Sequence, residues 1–397
     1  MNKSDDRNEI VIQQGYILSH DGKDVYINMN KSDTETEWQV NELSLKERIE
    51  KLKKKFYNDL FRHSFKHIVV LAGAGTSLDN GSNMGKTRDG LWAEGEKPIN
   101  QICKILWEKE TLKSKRIRDE RDIEALLSHV LLVEKINEDL DLKSLQKELE
   151  KIIREACRLK LDVTNAPHKT FLDKITARKA SEPRVQLFTT NYDTLFEQAA
   201  QAGGYVVIDG FSFTSPRTFS GRYFDYDIVQ RERTRLKDEE SFVSKVFHLY
   251  KMHGSLTWQR TEQGMIQQVD STESPLIVYP ASDKYESSYE QPYFEMMSRF
   301  QQALRKENTL LIVLGFGFRD KHIQNVILEA VNQNPSFQLV IVNYNGSGTI
   351  NREELKEYFD GDIVKRNVSI VFDTFKSFTE SFPENKTYSS NEESIQL

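Results

Sequence analysis

The chain has 397 residues, 38% hydrophobic and 29% charged, with 55 Lys and Arg against 61 Asp and Glu and a net charge of −6. At roughly 100–200 residues per domain this length makes about two domains, or one large domain carrying an insertion, and the mildly acidic balance supplies no global field for nucleic acid. Its two cysteines, Cys103 and Cys157, exclude a disulfide framework and a four-thiolate zinc site, and neither a signal-peptide run nor the roughly 18–20 apolar residues that span a bilayer is present, so a reducing compartment, most simply the cytoplasm, is expected.

Residues 1–60 read as an N-terminal extension. In EIVIQQGYILSHDGKDVYINMN, two short alternating runs flank the turn signal His20-Asp21-Gly22-Lys23, which predicts a β-hairpin. Residues 44–62 read as a charged helix, and the lysine run from Lys51 to Lys55, flanked by acids, reads as its solvated face. The first core element is His67–Ala72. Similar apolar runs follow at Val185–Phe188, Tyr205–Ile208, Leu276–Tyr279, Leu310–Leu314, Leu339–Val342 and Val368–Phe372. Near-continuous apolar runs suit strands covered on both faces of a parallel sheet. Helical patterns separate several of them, notably at 320–333 and 352–360, which predicts an α/β fold built on a Rossmann-like, doubly wound parallel sheet.

More than 100 residues lie between the strand at 67–72 and that at 185–188, far beyond a normal crossover. Residues 100–180 carry helical patterns and almost no strand signal, so a helical module inserted after the first βα turn is expected. Its basic stretch at 113–118 adjoins Asp119 and Glu120 and reads as another solvated face. The expected division is an extension at 1–60, a sheet domain at 61–96 and 181–380, a helical insertion at 97–180, and a disordered polar tail at 381–397.

Five strand ends carry candidate chemistry. Gly73-Ala74-Gly75-Thr76-Ser77 follows the first strand; glycines there allow a sharp turn and close approach of backbone to a ligand, and helix N-terminal amides favour phosphate oxygens. Leu78 stands where the full dinucleotide fingerprint has a third glycine, so a tight turn without a ligand is the other reading. In Phe188-Thr189-Thr190-Asn191-Tyr192-Asp193, Asn191 can donate and accept hydrogen bonds and Asp193 can cap the next helix. His253, in Lys251-Met252-His253-Gly254-Ser255, is placed for general-base work near neutral pH, or is structural. Leu314-Gly315-Phe316-Gly317 ends a fourth strand and opens a helix through Phe318-Arg319-Asp320-Lys321-His322-Ile323. Val342-Asn343-Tyr344-Asn345 ends a fifth with groups able to bind a ribose or base. The other histidines, His20, His63, His67, His129, His168, His248 and His322, have no accompanying cysteine or carboxylate cluster, and no metal site is expected.

In this order the motifs resemble the sirtuin superfamily over residues 68–345, interrupted by the helical insertion. Phe-Thr-Thr-Asn-Tyr-Asp at 188–193 resembles the Thr-Gln-Asn signature of that family. His253-Gly254 resembles the motif whose histidine is its general base, and Gly315–Ile323 is similar to a bacterial sirtuin-like branch. Met84–Trp92 is similar to its cofactor-loop segment ending in Gly-Leu-Trp. The resemblance implies NAD, with Gly73, Ala74, Gly75, Thr76 and Ser77 at the pyrophosphate and Gly315, Gly317 and Asn343 on the adenosine side. It further implies Asn191 positioning the nicotinamide ribose and the attacking water, Asp193 holding the loop or touching the cofactor, and His253 as general base. Protein-deacylating members carry a four-cysteine zinc module after the His-Gly motif; no cysteine follows His253. The expectation is therefore a zinc-free NAD glycohydrolase that cleaves NAD to nicotinamide and ADP-ribose and depletes it in bacterial anti-phage defence by abortive infection. A deacylase, an ADP-ribosyltransferase and a non-catalytic NAD or ADP-ribose scaffold are the alternatives. With no Gly-x4-Gly-Lys-Ser/Thr P-loop in the chain, control is expected from a homo-oligomer or from a separate partner. The partner implied is a HerA-like hexameric ATPase, or an Argonaute-like protein; neither membrane nor direct nucleic-acid binding is expected.

Overall fold

The computed structural model describes residues 8–13, 15–28, 30–31, 43–61, 64–108, 116–119, 121–136, 142–179, 182–230, 242–277, 291–344, 355, 359 and 367–384. Its strands are β1 (Asn8–Gln13), β2 (Tyr16–His20), β3 (Val25–Ile27), β4 (Asn30–Lys31), β5 (His67–Ala72), β6 (Gln186–Thr189), β7 (Val206–Ile208), β8 (Arg217–Thr218), β9 (Val246–Lys251), β10 (Trp258–Arg260), β11 (Ile266–Gln268), β12 (Thr309–Leu314), β13 (Gln338–Asn343) and β14 (Val368–Phe372). Eleven of them form one sheet in the order β4-β3-β2-β1-β14-β13-β12-β5-β6-β9-β7. From β14 to β7 every pairing is parallel. This is the expected doubly wound α/β sheet.

Both faces of the central parallel strands β9, β12 and β13 are buried almost throughout, which is why β12 and β13 read as continuous apolar runs. Val69 and Leu71 join Leu311 and Val313 in one core, beneath the helices Tyr293–Leu304 and Lys321–Gln333. Val70 and Ala72 join Leu310, Ile312 and Leu314 in the other, beneath the helices Leu45–Leu60, His168–Ile175, Leu195–Gly203 and Phe375–Ser381. Each fully buried Val, Leu or Ile contributes about 1.5–3 kcal/mol relative to leaving it in water. Local signals agree with these packings. Ser44 and Glu47 form a reciprocal capping box at the first helix, and Gly204, with φ of 69°, ends Leu195–Gly203 in the left-handed conformation.

The inserted helices Glu96–Glu108, Ile123–Ile136 and Lys143–Cys157 bury their own core of Ile99, Ile102, Leu106, Leu126, Leu127, Leu149 and Ile153. Asn80, fully buried, stitches its base by donating to Lys160 O (2.9 Å) and accepting from Asp162 N (3.0 Å). The helix His168–Ile175, inside the 97–180 boundaries, packs on the sheet rather than in this core.

Several details depart from the sequence reading. The hairpin turn lies at residues 21–24, but β1 also pairs antiparallel with β14, Val11 opposite Val371, so the N-terminal strands continue the main sheet. An uncovered edge would offer a row of unpaired amides and carbonyls, and β1 satisfies it. Lys53, from the run read as solvated, is buried, with its ammonium 2.8 Å from Asp373 and 2.7 Å from Glu50. The polar tail does not begin at 381: Phe382 packs against Phe61 at 4.7 Å between ring centres, because its apolar ring completes the core under the first helix. Of the strand expected at 276–279, Ile277 makes a single bridge to Gly254, and residues 278 and 279 lie outside the described residues. So do most of the helix expected at 352–360 and the chain beyond 384. A small second sheet, β10-β11-β8, follows from strands too short to show a period. Among the described residues no helix is long and apolar enough to cross a membrane.

Candidate functional site

Strand register aligns the five motifs. Val342 is opposite Leu314, Leu314 opposite Ala72, Ala72 opposite Thr189, and Thr189 opposite Lys251. Asn343, Gly315, Gly73, Asn191 and His253 therefore all emerge within two residues of one row, at the carboxyl ends of five neighbouring strands. The chain runs from β5 outward to β6 on one side and later returns to place β12 on the other. The β5–β12 boundary is thus a topological switch point, where open α/β sheets form a ligand crevice.

Two glycine turns meet there, backbone to backbone. Gly75 N donates to Gly315 O (2.9 Å), and a Cβ on Gly75 would lie 2.6 Å from Gly315 Cα. A Cβ on Gly73 would lie 2.7 Å from Gly315 O. Gly315 itself has φ of 58°, a left-handed conformation that glycine adopts without strain. Gly317 differs: nothing lies within 4 Å of the position its Cβ would take. The helix after Gly73-Ala74 is a single turn, Gly75–Leu78. Next to it Gly85 N donates to Ser77 O (2.8 Å), and Thr87 caps the helix Arg88–Glu94.

Asn191 ties the second motif to the first. Its Nδ2 is 3.0 Å from Gly73 O, 3.1 Å from Thr76 Oγ1 and 3.0 Å from Ser77 Oγ, all buried. Asp193 adds a second tie: Oδ2 accepts from Ser77 Oγ (2.6 Å), while Oδ1 accepts from Leu195 N (3.0 Å) at the start of the next helix. Lys251, buried at the end of β9, donates to Asp193 O and pairs with Glu197 at 3.0 Å. Because a buried ammonium needs compensating partners, Lys251 holds the Asn191–Asp193 turn against β9.

His253 is on the adjacent turn. Its Nε2 is 3.0 Å from Asp320 Oδ2, and both side chains are about nine-tenths buried, at 11% and 10% exposed. Asp320 is also the N-cap of Lys321–Gln333, its Oδ1 accepting from His322 N (2.9 Å) and Ile323 N (3.2 Å). Burial works to raise the Asp320 carboxyl, but the His253 hydrogen bond and charge, with the two amides, outweigh it and hold the group below the usual carboxylate range. Gly254, with φ of 87°, packs on the segment at Leu276 so closely that a Cβ would lie 2.1 Å from Leu276 O. Ser255 N donates to that same oxygen (3.2 Å), fixing the turn that carries the ring.

The candidate site residues Gly73–Ser77, Asn191, Asp193, His253, Gly315, Gly317 and Asn343 converge on this end of the sheet. Asp320 and Lys251 lie inside these motifs, but their roles are not legible from the sequence. The signal for Asp320 was a capping residue before an apolar-periodic helix, and for Lys251 a charge within an apolar run. Neither signal identifies a partner. Asn343 is buried, its carbonyl accepting from Asp373 N (3.1 Å), and Tyr344 beyond it is exposed. Among the described residues no group of three or more His, Cys, Asp or Glu is placed to hold a metal ion. No curated protein matches the chain. Residues 185–361, which contain Asn191, Asp193, His253, Gly315, Gly317 and Asn343, match the family model of the SIR2-like domain, and that match supports membership of the sirtuin-like superfamily and points to NAD-related chemistry.

Proposed function

We propose that the chain is an NAD glycohydrolase, which breaks the bond between nicotinamide and ribose C1′, passes the ADP-ribosyl group to water and so depletes NAD in bacterial anti-phage defence. The observation that carries the reading is the placement of Asn191 and His253. Each lies two residues beyond the Thr189–Lys251 pair on adjacent strands, beside the glycine turns of a switch-point crevice. The Gly73-Ala74-Gly75-Thr76-Ser77 turn lies against the pyrophosphate, and Gly317, with open space at its α-carbon, faces the adenosine side with Asn343. Gly315 shapes that wall by its contact with Gly75. Asn191 positions the nicotinamide ribose and the attacking water from a turn locked by Asp193. His253 takes a proton from a ribose hydroxyl or from water, an effect worth about 10²–10⁴-fold in rate. The lack of any cysteine after His253 favours water over an acyl-lysine as acceptor. A homo-oligomer, with or without a HerA-like hexameric ATPase, belongs to the same proposal, and light scattering of the protein alone and mixed with such an ATPase measures it.

The test is chromatography of NAD incubated with the purified chain. Nicotinamide and ADP-ribose are expected in equal amounts, and Asn191→Ala and His253→Ala are each expected to lose at least about 10²-fold in turnover. Wild-type turnover in both variants rejects the assigned roles. Label from NAD on protein or nucleic acid would make the chain a transferase, and NAD-dependent loss of acyl groups from a peptide would make it a deacylase.

A further inference from the structure

We propose that Asp320 is a positioning residue for His253: its carboxylate fixes the ring with the proton on Nε2 and leaves Nδ1 as the atom that accepts a proton. This deepens the NAD-hydrolase reading and rests on it. An ionised carboxylate only accepts hydrogen bonds, so the 3.0 Å contact requires a proton on His253 Nε2. A neutral imidazole with Nε2 protonated has its lone pair on Nδ1, and Nδ1 makes no hydrogen bond among the described residues.

Neither partner is free to turn. Asp320 Oδ1 is engaged by two amides of a 13-residue helix, so its Oδ2 has one direction to point. The strand-to-helix turn behind it is also set. Phe318 is buried with φ of 52°, a left-handed conformation costly for a bulky residue, and its ring packs 5.2 Å from Phe316 and 5.5 Å from Phe359. On the other side, Gly254 and Ser255 are held against Leu276. The pair bridges 67 residues of sequence, and each member is fixed by its own element.

In the step this serves, the O–H bond of a ribose hydroxyl or water breaks, an N–H bond forms at Nδ1, and the electron pair stays on oxygen. The ring becomes an imidazolium 3.0 Å from the Asp320 carboxylate, which stabilises the new charge; the proton then leaves to solvent.

Asp320→Asn separates this role from a structural one. Asn caps helices about as well as Asp, so the helix and fold are kept. With its oxygen still on the two amides, the substituted side chain presents an NH2 donor to the ring, and the His253 proton must move to Nδ1. In two-bond ¹H–¹⁵N spectra of the full-length chain labelled at histidine, assigned with His253→Gln, the wild-type ring is expected as the Nε2–H tautomer and that of the Asp320→Asn variant as Nδ1–H. The variant's kcat for NAD cleavage is expected to fall about 10²-fold or more with little change in KM. A wild-type ring protonated on Nδ1, a variant ring unchanged in tautomer, or a switched tautomer with wild-type kcat each overturns the proposal. A switched tautomer in a chain whose wild-type form never cleaves NAD upholds the pair and overturns the hydrolase reading instead.

Discussion

The same side chain meets opposite fates at His253 and His168. The ring at 253 has a carboxylate partner, whereas His168 is fully buried with neither ring nitrogen hydrogen-bonded among the described residues. It lies edge-on to Phe196 at 5.1 Å and Phe375 at 5.2 Å between ring centres. Burial in that apolar cage pushes its pKa down to about 3. The unfolded chain binds the proton near the ordinary value of about 6.5, so between these limits the unfolded state carries more protons and stability rises with pH. Full stability is present above about pH 6.5 and is lost as pH falls toward about 3. At pH 5 the loss from this one ring is about 2 kcal/mol. His168→Leu, which removes both unpaired nitrogens, is expected to flatten the pH dependence by that amount. Urea unfolding of both proteins at pH 7 and pH 5 checks it; equal pH dependence would mean that the ring finds a partner in solution.

At the scale of elements, the contact that shapes the crevice is between two turns rather than between side chains. A Cβ on Gly315 would lie 2.6 Å from Gly75 Cα and 2.8 Å from Thr76 N, in a residue whose φ of 58° already disfavours any other side chain. Backbone cannot yield as a flexible side chain can. Gly315→Ala is therefore expected to cost about 1–3 kcal/mol and to weaken NAD binding by moving the β5 and β12 turns apart. Gly317→Ala, with nothing within 4 Å, is expected to change stability by no more than about 0.5 kcal/mol. Denaturant unfolding of the two variants compares them directly, and equal losses of stability would refute the packing role of Gly315; NAD titration of Gly315→Ala measures the loss of binding. The paired glycines were visible in the sequence as turn signals. That Gly75 and Gly315 serve each other was not, since a glycine needed for a ligand and one needed for a neighbouring backbone read alike.

Taken as a whole, the molecule uses its N-terminal strands to finish the sheet. Val11 and Ile12 pair with Val371 and Ile370, and Val11, Leu18 and Val25 enter the core below. Lys53 ties the first helix to Asp373 at the end of β14. Deleting residues 1–31 would expose the β14 edge and uncover that apolar surface, so concentration-dependent self-association beyond that of the full-length chain is expected. Light scattering and thermal unfolding measure it; a truncated chain with unchanged mass and melting would show that the N-terminal strands are dispensable. The hairpin turn was legible from His20-Asp21-Gly22-Lys23, but the pairing of β1 with β14 was not, because it joins opposite ends of the chain and both partners look like ordinary short apolar runs.

By itself the sequence determined the kinds of element and the order of the strand-end motifs. Strands buried on both faces must be apolar throughout, and amphipathic helices must repeat with their turn, so His67–Ala72, Leu310–Leu314 and the helix at 321–333 declare themselves locally. Strands of two or three residues such as β8 and β11 carry no such period. The tertiary structure decided the strand order, the switch point between β5 and β12, the turning of Asn191 onto the Gly73–Ser77 loop, and the reach of Asp320 to His253. Each is a contact between segments far apart in the chain. Local periodicity and capping show what a segment can form, and only packing selects which segment it meets.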